Sequence, residues 1–447
     1  MPAWQAILGL PFSENDNTIT VGARLAIAEW DEVFAAMAER EITSLHAGSA
    51  MTDAALELLA KSDVARGLEE LDISGWEGEI TDRGLDILSR LPALRRFNLG
   101  WQQHVSDAGM ANLASCEHIE SVNLMGTPTG DGAIQALAGK RGLRHFHTGR
   151  LVSDAGLPLL HNLPVFKTWQ DGEIRYDLMS FSPEPNHLLL DGCFTDESIT
   201  GLRGLAGLFG LGFFRHCSSM SPAALRGLAE LPNLGFLGCE GRLCTDDAMG
   251  YIAALPRLRM LVGQGAVAGD DGFTALGRSE TLEYFWGREC PNLTGRGLIA
   301  LLRMPALRGL GVSFKKVDEA SLALLPDFPV LCELMPMDVS DAGFRHVGRC
   351  EGLESLYCMY CRETGDAATE HIAGLRLKYY YAGGTRITDR SLEILARMES
   401  LERLEFWNCG GITNQGLAQL TRLPRLREIR VDGVRVEARL DIAEDGE

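Results

Sequence analysis

The chain has 447 residues, and its 42 lysine and arginine side chains face 61 aspartate and glutamate side chains, for a net charge of −19. A nucleic-acid-binding protein needs a basic face, so this balance predicts that nucleic acid is not a partner, and it disfavours an anionic membrane surface for the same reason. Hydrophobic residues make up 46% of the sequence, which is enough to build a folded core.

The cysteines and the apolar stretches bear on the compartment. The cysteine count of 11 is odd, and most of these residues lie inside apolar runs, which is typical of a reducing environment. Residues 1–17 show no basic segment followed by a long apolar one, so no export signal is predicted. No apolar run is long enough to span a membrane. We therefore expect a cytoplasmic protein.

The first predicted element is a cap. Residues 18–21 have a strand pattern and residues 24–40 a helical one, and together they are expected to cover the open end of whatever follows. The predicted cap comprises residues 1–41.

A repeated pattern begins at residue 42. The segments 80–85, 105–110 and 387–392 share an Ile/Val-Thr/Ser-Asp start, followed by apolar residues at helical spacing and then a strand of the form Leu-x-x-Leu-x-Leu. Aligned in this way, the chain contains 17 units with strand starts at 42, 68, 94, 119, 143, 166, 185, 208, 234, 258, 282, 307, 331, 353, 377, 401 and 426. Fifteen of the sixteen spacings are 22–26 residues, and the spacing from 166 to 185 is 19.

Each unit predicts one strand and one helix. In the strand pattern of residues 94–99, Phe97 and Leu99 point to one face and the residues between them to the other. Thr81 is expected to cap a helix, and the following Asp favours the positive end of the helix dipole. Parallel strands stack about 4.8 Å apart whereas helices need about 10 Å, so the strands should line the inside of a curve. The prediction is an α/β solenoid, a curved horseshoe with about 17 parallel strands on the concave side and helices on the convex side.

This pattern resembles the leucine-rich-repeat family over about 390 of the 447 residues. Two segments, residues 289–298 and 408–417, carry a cysteine, a threonine and a Gly-Leu pair in the same order. That order is similar to the cysteine-containing repeats of F-box-associated and related bacterial proteins. The first 40 residues do not match an F-box, so the resemblance does not imply a ubiquitin-ligase role. The solenoid is predicted as one domain over residues 42–432, with a C-terminal cap and acidic tail over residues 433–447.

The unit at residues 166–185 is irregular. It lacks the Thr/Ser-Asp start and carries Pro183 and Pro185, which oppose a helix. We therefore expect an extended or loop segment over residues 172–184. This segment falls where the inward-facing strand residues change from polar to aromatic, so we also expect it to shape the boundary of the surface that binds a partner.

Side chains at the third, fifth and seventh strand positions should face the concavity. The early strands place polar residues there, and the later strands place large apolar ones. The strand register assigns the residues between these positions to the core. The large apolar residues at the third, fifth and seventh positions are therefore expected to be exposed. An exposed apolar patch of this kind indicates a binding site. The predicted partner-binding residues are Phe214, Phe236, Met260, Tyr284, Trp286, Met335, Tyr357, Met359, Tyr379, Tyr381 and Trp407.

A possible polar site lies where the two regions meet. His145 and His147 share a strand face, His187 is two strands further on in this alignment, and Asp191 and Arg215 are nearby. Histidine and carboxylate suit zinc, but no metal-ligand spacing is matched, so a polar contact surface is favoured over a metal.

The sequence favours a non-catalytic scaffold that binds a protein or a peptide. No catalytic motif or cofactor motif is recognisable, and the Cys358–Cys361 pair is interpreted as structural because it does not start a helix. The alternative is an enzyme or a small-molecule binder with its site at the polar/aromatic junction. The identity of the partner and the oligomeric state stay open.

Overall fold

The computed structural model describes residues 17–168, 176, 178, 186–359 and 361–436. The chain divides into two compact units. Of the described residues, unit 1 holds 17–168 and 186–237, and unit 2 holds Tyr176, Leu178, 238–359 and 361–436. Tyr176 and Leu178 thus belong with strands that follow them much later in the chain. The predicted domain limits at 41 and 432 stay predictions.

Unit 1 alternates short parallel strands with short helices. Its strands are β1 (Thr18–Thr20), β2 (Ser44–His46), β3 (Glu70–Asp72), β4 (Arg96–Asn98), β5 (Ser121–Asn123), β6 (His145–His147), β7 (His187–Leu190), β8 (Gly210–Phe213) and β9 (Phe236–Gly238), whose last residue belongs to unit 2. Its α-helices are α1 (Ile27–Glu39), α2 (Asp53–Leu59), α3 (Asp107–Met110) and α4 (Asp131–Ala136). A 3₁₀ helix at Ala111–Ser115 continues α3, and in other repeats the helix is a 3₁₀ helix throughout, as at Gly84–Arg90, Leu157–Asn162, Asp196–Leu202 and Pro222–Glu230.

Unit 2 has the same alternation with more regular helices. Its strands are β10 (Met260–Val262), β11 (Tyr284–Arg288), β12 (Gly309–Ser313), β13 (Glu333–Met337), β14 (Ser355–Met359), β15 (Tyr379–Gly383), β16 (Arg403–Trp407), β17 (Glu428–Val431) and β18 (Val434–Val436). Its α-helices are α5 (Asp246–Ala253), α6 (Asp270–Leu276), α7 (Gly295–Leu301), α8 (Glu319–Leu322), α9 (Phe344–Val347), α10 (Asp366–Ile372), α11 (Asp389–Leu395) and α12 (Asn414–Leu420). Strands β10 to β17 pair in parallel, and β18 pairs antiparallel with β17.

The strand register is the predicted one. Residues at the fourth position of the strand pattern, such as Leu71, Phe97 and Val122, pair with one another across neighbouring strands and are buried. Strands β2 to β17 each begin two residues after their predicted start, because the first two pattern residues lie in the turn before the strand. The fold is therefore an α/β leucine-rich-repeat solenoid.

One predicted strand is wrong. The strand expected at residue 166 is replaced by a 3₁₀ turn at Pro164–Phe166, and β6 pairs directly with β7, with His145 opposite His187. Phe166 is still fully buried, so its apolar side chain is satisfied by a turn instead of a strand. Residues 172–184, where no helix was predicted, lie outside the described residues except for Tyr176 and Leu178.

The Thr/Ser-Asp pair lies at the start of several helices, but Thr81 itself does not cap one, because the 3₁₀ helix Gly84–Arg90 begins after Arg83. The Asp of the pair has a second role. Thr52 accepts a hydrogen bond from the backbone of Ala55 at the start of α2, as expected of a cap. The carboxylate of Asp53 accepts two hydrogen bonds from the next repeat, at 2.9 Å from the Thr81 backbone N–H and at 2.6 Å from its hydroxyl. We call this contact between an Asp and the following Thr or Ser a repeat joint.

The same joint recurs along both units. It links Asp82 to Ser106, Asp131 to Ser153, Asp196 to Ser221, Asp270 to Thr294, Asp366 to Thr388 and Asp389 to Thr413. The joint also explains a recurrent glycine. A Cβ added at Gly109 would lie 2.6 Å from Oδ1 of Asp82, and one at Gly416 would lie 2.1 Å from Oδ1 of Asp389. At Gly109 and Gly416, only a residue without a side chain leaves room for the carboxylate where it lies.

Candidate functional site

The open face of each unit is the sheet face that carries the residues alternating with the buried leucines. In unit 2 it carries most of the predicted aromatic surface, but much of that surface is covered. Only 7% of Trp286 is exposed. The expectation that these side chains are exposed is wrong for Met260, Tyr284, Trp286, Met335 and Tyr357, and in unit 1 for Phe236.

Two residues of the chain itself cover strands β11 to β13. A Cβ added at Gly309 or at Gly311 would come within 3.5 Å and 3.4 Å of the Leu178 side chain, so Leu178 fills the space above these glycines. The Leu178 backbone N–H donates a hydrogen bond of 2.9 Å to the buried carboxylate of Glu333. The ring of Tyr176 lies 6.4 Å from that of Tyr284. The space above these two glycines is therefore filled by side chains of the chain itself, namely Tyr284, Trp286 and Leu178.

The aromatic side chains that stay accessible lie further along unit 2. We call Met359, Tyr379, Tyr381 and Trp407 the β14–β16 aromatic surface; the first three are half-buried, and Trp407 is 51% exposed. Strand pairing places Tyr357 beside Tyr381 and Gly383 beside Trp407.

Polar contacts hold the rings of this surface in place. The Tyr379 hydroxyl donates to Oε2 of Glu405 at 3.0 Å, and the Arg403 guanidinium lies 4.8 Å from the centre of the Tyr379 ring. The buried ring of Tyr357 packs against Tyr379 edge to face, with 5.1 Å between centroids. The surface is therefore preorganised by its neighbours.

The open face of unit 1 contains a polar depression of about 260 Å³. Its polar lining consists of Glu70, Asp72, Arg96, Asn98, Ser121, Asn123, His145 and His147. Burial raises the pKa of Glu70, but hydrogen bonds from Arg96, His46 and Ser44 outweigh burial and lower it. Glu70 is thus ionised and paired with Arg96, at 2.8 Å.

The predicted histidines do come together beside this depression. The rings of His147 and His187 lie 5.6 Å apart, edge to face. His187 is 2% exposed, and neither of its ring nitrogens has a hydrogen-bond partner among the described residues. Burial lowers the pKa of His147 to about 4 and that of His187 to about 3. Both imidazoles are therefore neutral at neutral pH.

Asp191 and Arg215 do not join these histidines. The buried carboxylate of Asp191 accepts hydrogen bonds from the backbone of His216 at 3.1 Å and from its Nδ1 at 2.7 Å. Arg215 stacks instead on the rings of Trp101 and Phe214, at 4.7 and 5.4 Å from their centres. Across the parts of the chain that the structure describes, no group of three or more His, Cys, Asp or Glu is arranged to hold a metal ion.

Sequence reasoning missed two tryptophans in unit 1. The rings of Trp76 and Trp101 are stacked, 4.6 Å apart, and Trp76 is 61% exposed. They are neighbours because Gly75 donates its backbone N–H to the carbonyl of Gly100 at 2.8 Å, in the next repeat. The available signal was a Gly-Trp pair shortly after the strand in two consecutive repeats.

The Cys358 and Cys361 thiols are both buried. Burial raises the pKa of Cys361 to about 12 and raises that of Cys358 as well. Thiols that stay protonated are poor nucleophiles, which supports the structural interpretation of this pair.

The repeat of strand, joint and helix defines a leucine-rich-repeat fold, and comparisons with known proteins bear on the fold alone. No protein-family model matches the chain, and no curated protein matches it in sequence. Similar solved structures include a chain of the Rad7–Elc1 complex from yeast, with 16% identity, 92% of this chain and 89% of that chain covered, and a TM-score of 0.45.

Two further structures are similar at the same level. A leucine-rich-repeat protein of Leptospira interrogans has 13% identity, covers 93% of this chain and 95% of its own, and has a TM-score of 0.35. A chain of the TLR13–ssRNA13 complex has 13% identity, covers 83% of this chain and 50% of its own, and has a TM-score of 0.41. Among the described residues, none of the helices has both the length and the apolar character to cross a membrane.

Proposed function

We propose that this chain is a non-catalytic scaffold that binds a protein or peptide partner through the β14–β16 aromatic surface. The observation that carries the proposal is Trp407, which is 51% exposed at the end of β16. The neighbouring strand β15 pairs with β16 and carries the half-buried Tyr379 and Tyr381. Tyrosine, tryptophan and methionine are enriched where proteins bind one another. Ordering a mobile side chain on binding costs free energy, and the Tyr379 ring, already held by Arg403 and Glu405, avoids much of this cost.

Most of the predicted partner-binding residues thus fall into two groups. The buried ones, which support the sheet, are Phe236, Met260, Tyr284, Trp286, Met335 and Tyr357. The members of the β14–β16 aromatic surface can contact a partner, and Phe214 is half-buried in unit 1. We further propose a cytoplasmic location, the cysteine-containing repeat subtype and the exclusion of nucleic acid as a partner. They rest on the eleven cysteines and the net charge of −19.

Site-specific photo-crosslinking tests this proposal. A photoreactive phenylalanine analogue placed at Tyr381 should capture a defined partner in the native host, and the same analogue at Ile299, an exposed residue of helix α7, should not. Truncating a central aromatic anchor costs about 2 kcal/mol or more of binding free energy. Trp407→Ala should therefore weaken the captured partner's affinity roughly 30-fold, with Ile299→Ala as the matched control. Equal capture at both positions, or equal affinity of both variants, would contradict the proposal.

A second candidate is a small-molecule binder with its site in unit 1. It is favoured by the depression of about 260 Å³ and by the unpartnered nitrogens of His187 next to it. Buried polar groups are normally hydrogen-bonded, so an unpartnered one indicates a missing partner. A screen of polar metabolites by thermal shift, on wild type and on His187→Phe, would separate the two functions. A compound that stabilises only the wild type supports the second.

A further inference from the structure

Unit 1 carries an aromatic and cationic cluster that the proposed function does not use. It consists of Trp76, Trp101, Phe214 and Arg215, and we call it the Trp/Arg cluster. Trp76 stacks on Trp101 at 4.6 Å, Phe214 meets Trp101 edge to face at 6.0 Å, and the Arg215 guanidinium packs on both Trp101 and Phe214. Trp76 and Arg215 are exposed, so the cluster offers an apolar face and a positive charge side by side.

The turn after β4 fixes the position of Trp101 in this cluster. Trp101 has a φ of 71°, a left-handed conformation that is unfavourable for a residue with a side chain and that persists only where the surroundings enforce it. Its ring also needs the glycine of the next repeat. A Cβ added at Gly126 would lie 2.3 Å from Cε3 of Trp101. The equivalent positions of other repeats, Gly126 and Asp338, also have a positive φ, so the turn of the repeat holds Trp101 in this conformation.

The other side of the cluster is anchored as well. The residue after Arg215 is His216, whose backbone N–H and ring both bond the buried carboxylate of Asp191. The residue before it is Phe214, whose backbone N–H donates to the carbonyl of Leu190 at 2.9 Å. Arg215 is therefore held at its base by both neighbours and along its guanidinium face by two rings.

The charge of Arg215 is not neutralised within the described residues. Other arginines of unit 1 pair with carboxylates, as Arg95 does with Glu120 and Arg96 with Glu70, but Arg215 forms no ion pair with a described residue. Stacking uses the flat face of a guanidinium and leaves its N–H edge available, and that edge matches a carboxylate. In a chain of net charge −19, an exposed and preorganised cation of this kind fits an acidic group on a partner.

We propose that the Trp/Arg cluster binds a peptide segment in which Asp or Glu adjoins an aromatic or large aliphatic residue. The acidic side chain pairs with the N–H edge of Arg215, and the apolar side chain packs on the exposed face of Trp76. This surface belongs to unit 1, is separate from the β14–β16 aromatic surface, and does not depend on the function proposed for that surface.

The test uses two probe peptides and ¹⁹F spectra. The full chain is labelled with fluorotryptophan, and the signals of Trp76, Trp101 and Trp407 are assigned by single Trp→Phe variants. The probes are acetyl-Gly-Phe-Glu-Gly-amide and the same peptide with Gln in place of Glu. The Glu peptide should shift the Trp76 and Trp101 signals and leave Trp407 unchanged. Because it loses a charge-assisted hydrogen bond, the Gln peptide should bind roughly tenfold more weakly.

Arg215→Gln should remove this discrimination between the two peptides. The matched control is Arg226→Gln, at an exposed arginine in the 3₁₀ helix Pro222–Glu230, which should keep the discrimination. Equal binding of both peptides by the wild type, or full discrimination by Arg215→Gln, would overturn the proposal. A short oligothymidylate that shifts Trp76 and Trp101 when neither peptide does would also overturn it, because stacked aromatic rings and arginine suit nucleobases too. Failure of the crosslinking experiment at Tyr381 leaves this result unaffected.

Discussion

Two tryptophans on the open face of unit 2 provide the sharpest test of how that face is built. Trp286 on β11 is 7% exposed and lies against Gly311 and its covering Leu178, whereas Trp407 on β16 is 51% exposed. Replacing each by alanine removes the same indole from the same kind of strand position. The difference in stability between the two variants therefore measures how strongly each tryptophan is covered by neighbouring side chains, because the residue removed is the same.

The magnitude follows from buried area. A tryptophan buries about 200 Å² at about 25 cal/mol per Å², or about 5 kcal/mol when fully covered. Scaled by the buried fraction, the loss is about 4.5 kcal/mol for Trp286→Ala and about 2.5 kcal/mol for Trp407→Ala. Differences between variants are more reliable than such sums, so we expect Trp286→Ala to be the less stable by about 2 kcal/mol.

The assay is urea unfolding followed by far-ultraviolet circular dichroism. Hydrogen exchange at the backbone amide of Leu310, a buried residue of β12, would report on unit 2 locally. Trp286→Ala should unfold at the lower urea concentration and exchange faster. Equal midpoints for the two variants would refute the covering of β11 by Tyr176 and Leu178.

Three further outcomes follow from the structure. Gly109→Ala should lose about 1–3 kcal/mol of stability because its Cβ would meet Asp82 at 2.6 Å, whereas Gly67→Ala, with nothing within 4 Å, should be nearly neutral in the same urea titration. Burial raises the pKa of Asp366, but the hydrogen bonds that its carboxylate accepts outweigh burial and lower it. Asp366→Asn should therefore lower the free energy of unfolding at pH 7. The difference in free energy from wild type should shrink as the pH falls below about 4 and through the lowered native pKa. Burial lowers the pKa of His187 to about 3, so this histidine takes up a proton in the unfolded chain before it does in the folded one. Stability should therefore fall as the pH drops below about 6.5. In urea midpoints measured at neutral and mildly acidic pH, His187→Phe should reduce this loss of stability.

The strand register was predictable from the sequence because it depends on local pattern alone. A one-residue shift would place residues such as Leu310 on the open face, and strand pairing sets Leu310 opposite Leu334 as the pattern requires. The helix starts were predictable for the same reason, since a Thr or Ser cap acts within one turn. The strand at 166 failed because a buried Phe166 is equally compatible with a strand and with a turn.

The exposure of the aromatic side chains was not predictable, because their cover comes from far along the chain. The hydrogen bond from Leu178 to Glu333 joins residues 155 positions apart, and no local sequence pattern predicts such a contact. The second role of Asp53 was not predictable either. Its place at the start of a helix depends on neighbouring residues, but the Thr81 that donates to it belongs to the next repeat. The alignment placed His145 and His187 two strands apart, and removal of the strand at 166 made them neighbours.

The repeat joints have a consequence for how such a chain changes length. Each carboxylate belongs to one repeat, but the two hydrogen bonds that it accepts come from the next, as for Asp366 and Thr388. A deletion that removes one whole interval between two joints lets the Asp before it meet the Thr or Ser after it, whereas a deletion out of phase leaves that carboxylate facing a different residue. Insertions and losses during evolution should therefore be tolerated in whole periods counted from joint to joint, so that the heritable module of this protein is the interval between two joints.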